Sequence, residues 1–152
     1  LEKEHRTGNV SYEAENHQKM VELRAQKVQN VTQDIPPTRV HGPPDGDLLV
    51  LGWGSTKGAI EEATERANEE RLRVGSVVLR HVWPLPADLG DVLDRFDHVL
   101  VPELNNGQLI RVLRDQYPHR GFTPLNKIQG RPFRAEEIVE EVEALLGEPA
   151  PA

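Results

Sequence analysis

The sequence contains no cysteine. That excludes disulfides, thiolate nucleophiles, iron–sulfur ligation and cysteine-type zinc sites within these 152 residues. Positive charge is in short supply, with 18 Lys and Arg against 25 Asp and Glu, a net charge of -7. Neutralising phosphates needs clustered Lys and Arg, so no nucleic-acid partner and no anionic membrane partner is expected. No apolar run approaches the roughly 18 residues of a membrane span, and no signal-peptide pattern is visible. Methionine is nearly missing: Met20 is the single one, and the chain opens on Leu1. The expectation is a piece of a longer polypeptide. What is present looks globular. The hydrophobic share is 37%, and the 12 glycines bring it to roughly 45%, the usual figure for a soluble domain. The length fits one domain with an added arm, large enough to bury its own core.

The pattern divides the chain into an arm and helix over 1–34, a domain over 35–147 and a tail over 148–152, read as disordered. Residues 1–8 are charged and patternless. Over 12–30 a narrow stripe of Met20, Val21, Leu23, Ala25 and Val28 predicts a helix too polar to supply much core. It is expected to lie along a neighbouring surface. Ile35-Pro36-Pro37 ends it. Thr38-Arg39-Val40-His41 reads as a short edge strand, since prolines at its borders suit an edge. Then Leu48-Leu49-Val50-Leu51, Val77-Val78-Leu79 and Val99-Leu100-Val101 form continuous apolar runs. Runs without alternation predict strands buried on both faces, as in a parallel sheet. Helical spacing fills the gaps: Ile60, Ala63 and Ala67 over 56–73; Leu89, Val92, Leu93 and Phe96; Leu109, Val112 and Leu113. Residues 122–128 suggest a further strand, placed at an edge by Pro124. Ile138, Val142 and Leu145 mark a last helix over 135–146, with Gly147 as its C-cap. The expected fold is α/β, a three-layer α/β/α sandwich.

Ligands of such sheets gather at the carboxyl ends of the strands. Three loops fall there. Gly52-Trp53-Gly54-Ser55-Thr56-Lys57-Gly58 is either an anion cradle, with Gly54, Ser55 and Thr56 at a helix N-terminus, or a tight β–α turn capped by Ser55. Its spacing matches neither the dinucleotide nor the Walker pattern. In the second loop, His81 sits at a strand end, which suits acid/base work or a simple hydrogen bond. Trp83 is a packing anchor or an interface residue. In the third loop, Glu103 follows a buried strand without a second carboxylate to pair with. Bonding a neighbouring loop's amides is its alternative use. Asn105 suits a turn or cap, and Gln108 closes the loop. The six histidines lack metal-ligand spacing. Lys127, Arg131 and Arg134 form a basic cluster that reads as a solvated loop or a contact for an acidic partner.

Several segments occur in an order that carries a resemblance. They are Thr7-Gly8-Asn9-Val10-Ser11-Tyr12 with Glu15-Asn16-His17-Gln18-Lys19-Met20-Val21, then Leu51-Gly52-Trp53-Gly54-Ser55-Thr56, then Leu79-Arg80-His81 with Pro84-Leu85-Pro86-Ala87. Val101-Pro102-Glu103 with Asn105 and Gly107-Gln108-Leu109 follow, and Lys127 with Gln129-Gly130-Arg131-Pro132-Phe133 completes the series. Over nearly the whole chain this resembles the C-terminal region of the α subunit of 2-oxoacid:ferredoxin oxidoreductases, especially the 2-oxoglutarate type. The sequence departs from the family pattern at Lys57, Val82-Trp83 and Asn106.

The resemblance implies a transketolase C-terminal-like fold, a mostly parallel five-stranded sheet with one antiparallel strand, for which 38–41 would serve. It implies a cytoplasmic enzyme that oxidatively decarboxylates a 2-oxoacid to an acyl-CoA on thiamine diphosphate with Mg²⁺, passing electrons through an iron–sulfur cluster to ferredoxin. Upstream domains of the same subunit, a β subunit, ferredoxin and CoA would be the partners. The family's thiamine and cluster motifs fall outside these residues. The chain is therefore expected to be a non-catalytic assembly domain that binds no cofactor or metal itself. Trp53, His81, Trp83, Glu103, Asn105 and Gln108 are its interface or loop-support candidates. A free-standing anion- or nucleotide-binding module, or an interaction adaptor, are the rival readings.

Overall fold

The computed structural model describes residues 1–147; the expected tail lies outside them. The chain forms β1 (Glu2–Lys3), β2 (Val10–Ser11), α1 (Ala14–Asn30), β3 (Gly46–Trp53), α2 (Lys57–Glu69), β4 (Val74–Leu79), α3 (Leu89–Leu93), β5 (Phe96–Glu103), α4 (Leu109–Gln116), β6 (Thr123–Asn126) and α5 (Ala135–Leu146). The parallel sheet has the order β4-β3-β5-β6.

The apolar runs alternate between two helical layers. Leu49, Leu51, Val99 and Val101 pack with Leu89, Val92, Leu93, Leu109, Ile110 and Leu113 of α3 and α4. Leu48, Val50, Val74 and Leu100 pack with Ile60, Ala63 and Ala67 of α2 and Ile138 and Val142 of α5. A strand covered on both faces has no use for polar positions, so the runs are continuous. Each such side chain contributes about 1.5–3 kcal/mol by burial. Gly52 follows from the same packing: a Cβ there would collide with Ile60 and crowd the Thr56 hydroxyl. The glycine admits a helix rather than a ligand.

Four differences from expectation have local causes. The sheet has four ladder strands, not five. The 38–41 strap occupies the expected antiparallel place beside β4, but it pairs at a single bridge, His41 with Ser76. Prolines on both sides and the bonds of Thr38 to Asp88 hold the rest away. Residues 1–8 are not patternless in space: β1 pairs antiparallel with β2 to form a hairpin. It lies on α1, where Asn16 donates to the Lys3 carbonyl (2.9 Å) and Arg24 to Glu2 (2.7 Å). Third, α3 stops at Leu93, and Phe96 opens β5. Fourth, α2 opens without a side-chain cap, so Ser55 does not perform that task. The expected C-cap is observed: Gly147 has φ +77° and donates to the Glu143 carbonyl (2.8 Å). Pro124 lies in β6, one of the two edge strands. Among the described residues, no helix is long and apolar enough to cross a membrane.

Candidate functional site

The strands β3 and β5 end side by side, and their ends build a polar cluster around Glu103. Glu103 is 0% exposed. Its Oε1 accepts hydrogen bonds from the Leu109 N–H (2.7 Å), the Asn105 amide (3.2 Å) and the Trp53 indole N–H (3.3 Å). Its Oε2 accepts from the Ile110 N–H (3.1 Å). A helix leaves its first N–H groups without internal partners, and its N-terminus favours negative charge. Glu103 answers both needs of α4. Asn105 Oδ1 in turn accepts from the main-chain N–H of Gln108 (2.9 Å), which closes the loop. Both oxygens of this buried carboxylate are thus occupied by donors of the protein itself. The cluster can rigidify the strand ends, but it offers no free base.

The Gly54-Ser55-Thr56 turn contributes no more to chemistry. Thr56 is buried, and its hydroxyl donates to the Trp53 carbonyl (2.8 Å). Gly54 adopts φ +63°, as the tight turn requires. Ser55 is exposed. Of the basic cluster after β6, only Lys127 turns inward. Lys127 donates to both Glu137 oxygens (2.8 and 2.7 Å) and to the Pro132 carbonyl (2.9 Å), and its ammonium lies 5.5 Å from the Phe133 ring centre. The Arg134 N–H, followed by Lys127, holds the Glu137 carboxyl below the usual carboxylate range. Lys127 is therefore a clamp on α5, while Arg131 and Arg134 face solvent.

His81 and Trp83 do not join the Glu103 cluster. They follow β4, on the other side of β3. His81 is exposed, and Trp83 is 51% exposed beside a cis Trp83–Pro84 bond. His81 lines a groove of about 650 Å³ between the 35–41 strap and the outer edge of β4. The strap is pinned where Thr38 donates its N–H (2.8 Å) and hydroxyl (2.7 Å) to Asp88. Sequence reading missed Asp88; its position just ahead of α3 was the available signal. Among the described residues, no group of three or more His, Asp or Glu could hold a metal ion.

Residues 46–138 match the family model described as pyruvate:ferredoxin oxidoreductase core domain II. The chain is 41% identical to the KorA subunit of 2-oxoglutarate oxidoreductase from Mycobacterium tuberculosis, over 96% of this chain and 22% of that subunit. The chain belongs to the 2-oxoacid:ferredoxin oxidoreductase family. The α subunit of 2-oxoacid:ferredoxin oxidoreductase from Saccharolobus solfataricus is 29% identical over 91% of this chain and 23% of its own length. The solved 2-oxoglutarate:ferredoxin oxidoreductase from Magnetococcus marinus superposes with a TM-score of 0.81 at 30% identity, over 95% of this chain and 26% of that one. A split-gene transketolase shares the fold, with a TM-score of 0.61 at 14% identity over 75% of this chain and 43% of that one. The chain thus spans about a quarter of the length of these three family members. Within this family chain, the Glu103 cluster brings together Trp53, Asn105 and Gln108, while His81 and Trp83 belong to a second surface.

Proposed function

We propose that this chain is a non-catalytic support and assembly domain of a 2-oxoacid:ferredoxin oxidoreductase α subunit. The whole enzyme would act in the cytoplasm, decarboxylating 2-oxoglutarate or a related 2-oxoacid to an acyl-CoA and reducing ferredoxin. Upstream domains of the subunit and a β subunit would be its neighbours, and the segment 1–34 would be its link to those domains. The observation that carries this reading is Glu103. At the strand ends where an α/β fold keeps its chemistry, the one carboxylate buried among the described residues is fully engaged by Trp53, Asn105, Leu109 and Ile110.

Thiamine diphosphate, Mg²⁺ and an iron–sulfur cluster belong to the reaction the family name implies. The residues present do not fit them. The chain has no cysteine for a cluster, Glu103 has no oxygen to spare for Mg²⁺, and the Thr56 hydroxyl is committed to a carbonyl. These groups would be held by other parts of the enzyme. The test is turnover. The purified 152-residue chain should not reduce ferredoxin or a viologen dye with 2-oxoglutarate and CoA. Reduction by the chain alone would end the reading. Saturable binding of phosphate or nucleotide that Gly54→Ala removes would favour the anion-binding alternative instead.

A further inference from the structure

The outer edge of β4 is covered one residue pair at a time, and the cover stops early. In a strand, main-chain groups of alternate residues point to the same side. Ser76 exchanges both of its main-chain bonds with His41 (2.8 Å each), so Val74, Ser76 and Val78 face outward. Val74 is capped by the Asn68 side chain, which donates to its carbonyl (2.7 Å) and accepts from its N–H (3.3 Å). Ser76 is paired by the strap. Val78 has neither cap nor partner among the described residues. Continuing the register of the His41 bridge would set Arg39 opposite Val78, yet that pair does not form. Two features hold the strap off. Thr38 is tied to Asp88 by two bonds, and Pro37, the next position facing inward, has no N–H to give.

The gap is the 650 Å³ groove. Its walls carry Arg39, His41, Lys57, Arg80 and His81 against a single carboxylate, Glu61. Lys57 lies 3.7 Å from Glu61, and His41 lies 3.2 Å from Glu65 outside the lining. Arg39, Arg80 and His81 hold no ion pair among the described residues. This basic groove stands in a chain of net charge -7. An unpaired strand edge is a template for another strand, and unbalanced charge selects its sign.

We propose that the Val78 edge accepts one extended, acidic segment of a partner polypeptide by main-chain pairing, with Arg39, Arg80 and His81 reading its carboxylates. This does not depend on the assembly role proposed above: that role fails on turnover, this one on peptide binding.

The test uses the isotopically labelled 152-residue chain. The probes are acetylated, amidated hexapeptides alternating valine with aspartate, valine with lysine, and valine with aspartate bearing N-methylated main-chain amides. The plain acidic peptide should slow hydrogen exchange at the Val78 amide by about tenfold or more. Its affinity should fall several-fold between about 0.05 and about 0.5 M salt. The basic and N-methylated peptides should leave Val78 unchanged. Val78→Pro removes an N–H without an internal partner and trims a half-buried side chain at the margin of the α2–α5 layer, so it should keep the circular dichroism spectrum and lose the binding. Arg39→Glu with Arg80→Glu should weaken the acidic peptide at least about tenfold. The proposal is overturned if the acidic peptide leaves Val78 exchange unmoved at millimolar concentration. It is also overturned if the N-methylated peptide binds equally well, or if Val78 is already protected in the free chain because the strap has closed on it.

Discussion

The α/β layer structure and the N-terminal unit, β1, β2 and α1, are stabilised by different physics. In the sheet, Leu48, Leu49, Val50 and Leu100 are each 0% exposed. In α1 no residue is buried, and Val21, Leu23 and Val28 remain exposed on a helix of 17 residues. One region closes its own core. The other is held by side-chain bonds to main chain and by ion pairs on the surface, each worth little in water. Helices of this length are marginal without packing. The contrast shows that a regular helix in the structure need not signal local stability.

The sharpest way to break this comparison is a pair of truncations. Leu100→Ala should cost about 3–5 kcal/mol, because the two-sided burial of β5 leaves a cavity that cannot collapse. Leu23→Ala should cost less than about 0.5 kcal/mol. Urea unfolding with the same slope for each variant would measure both. If Leu23→Ala proved as costly as Leu100→Ala, α1 would have to be part of the core.

Glu103→Ala ranks next. It would strand the N–H groups of Leu109 and Ile110 and the Trp53 indole, and it should cost about 3 kcal/mol. Glu103→Gln should fall between it and wild type, since one oxygen remains to accept. Quenching or shift of Trp53 emission, read with Trp83 replaced by Phe, would report loosening of this loop. A Glu103→Ala chain as stable as wild type would show that the cluster does not hold α4.

Removing residues 1–34 should have a smaller effect. The remaining layers keep every contact among β3, β4, β5 and β6, so the melting temperature should move by less than about 3 °C. A larger fall would make the N-terminal unit a structural part of the layers.

These expectations follow the line between what the sequence disclosed and what it hid. The buried strands were legible because two-sided burial writes unbroken apolar runs such as Leu48 to Leu51. Glu103 stood out as a carboxylate two residues beyond such a run, Val99 to Val101. Its partner Trp53 did not, because the bond joins strand ends fifty residues apart that meet only when β3 and β5 pair. The Thr38–Asp88 tie has the same separation and was hidden for the same reason. The β1–β2 hairpin escaped because strands of two residues show no periodicity. Lys127 read as a solvated cation, since nothing local reveals that Glu137 and the Pro132 carbonyl close over it.

Acid provides the mildest separation of the two regions. Arg24 donates to Glu2, the Lys3 N–H adds a second bond, and together they hold the Glu2 carboxyl at about 2 instead of its usual 4.5. Glu4 is also lowered, chiefly by the Thr7 N–H. A carboxyl lowered in the folded state supports that state above its unfolded value, and the support is lost as pH falls through the folded value. The hairpin should therefore loosen from α1 as pH falls from about 4.5 toward 2. Because these groups lie at the surface, salt should weaken the effect. Among the described residues, the layers around Leu49 and Leu100 bury no ionisable group other than Glu103, and their lowered carboxyls, Glu136 and Glu137, lie on the outer face of α5, so the core methyl signals should stay native after the hairpin amides of Lys3 and Val10 have moved. Nuclear magnetic resonance across an acid titration would resolve the order. If both sets of signals moved together at one pH, the two regions would form a single cooperative unit, and the exposed face of α1 would need a different explanation.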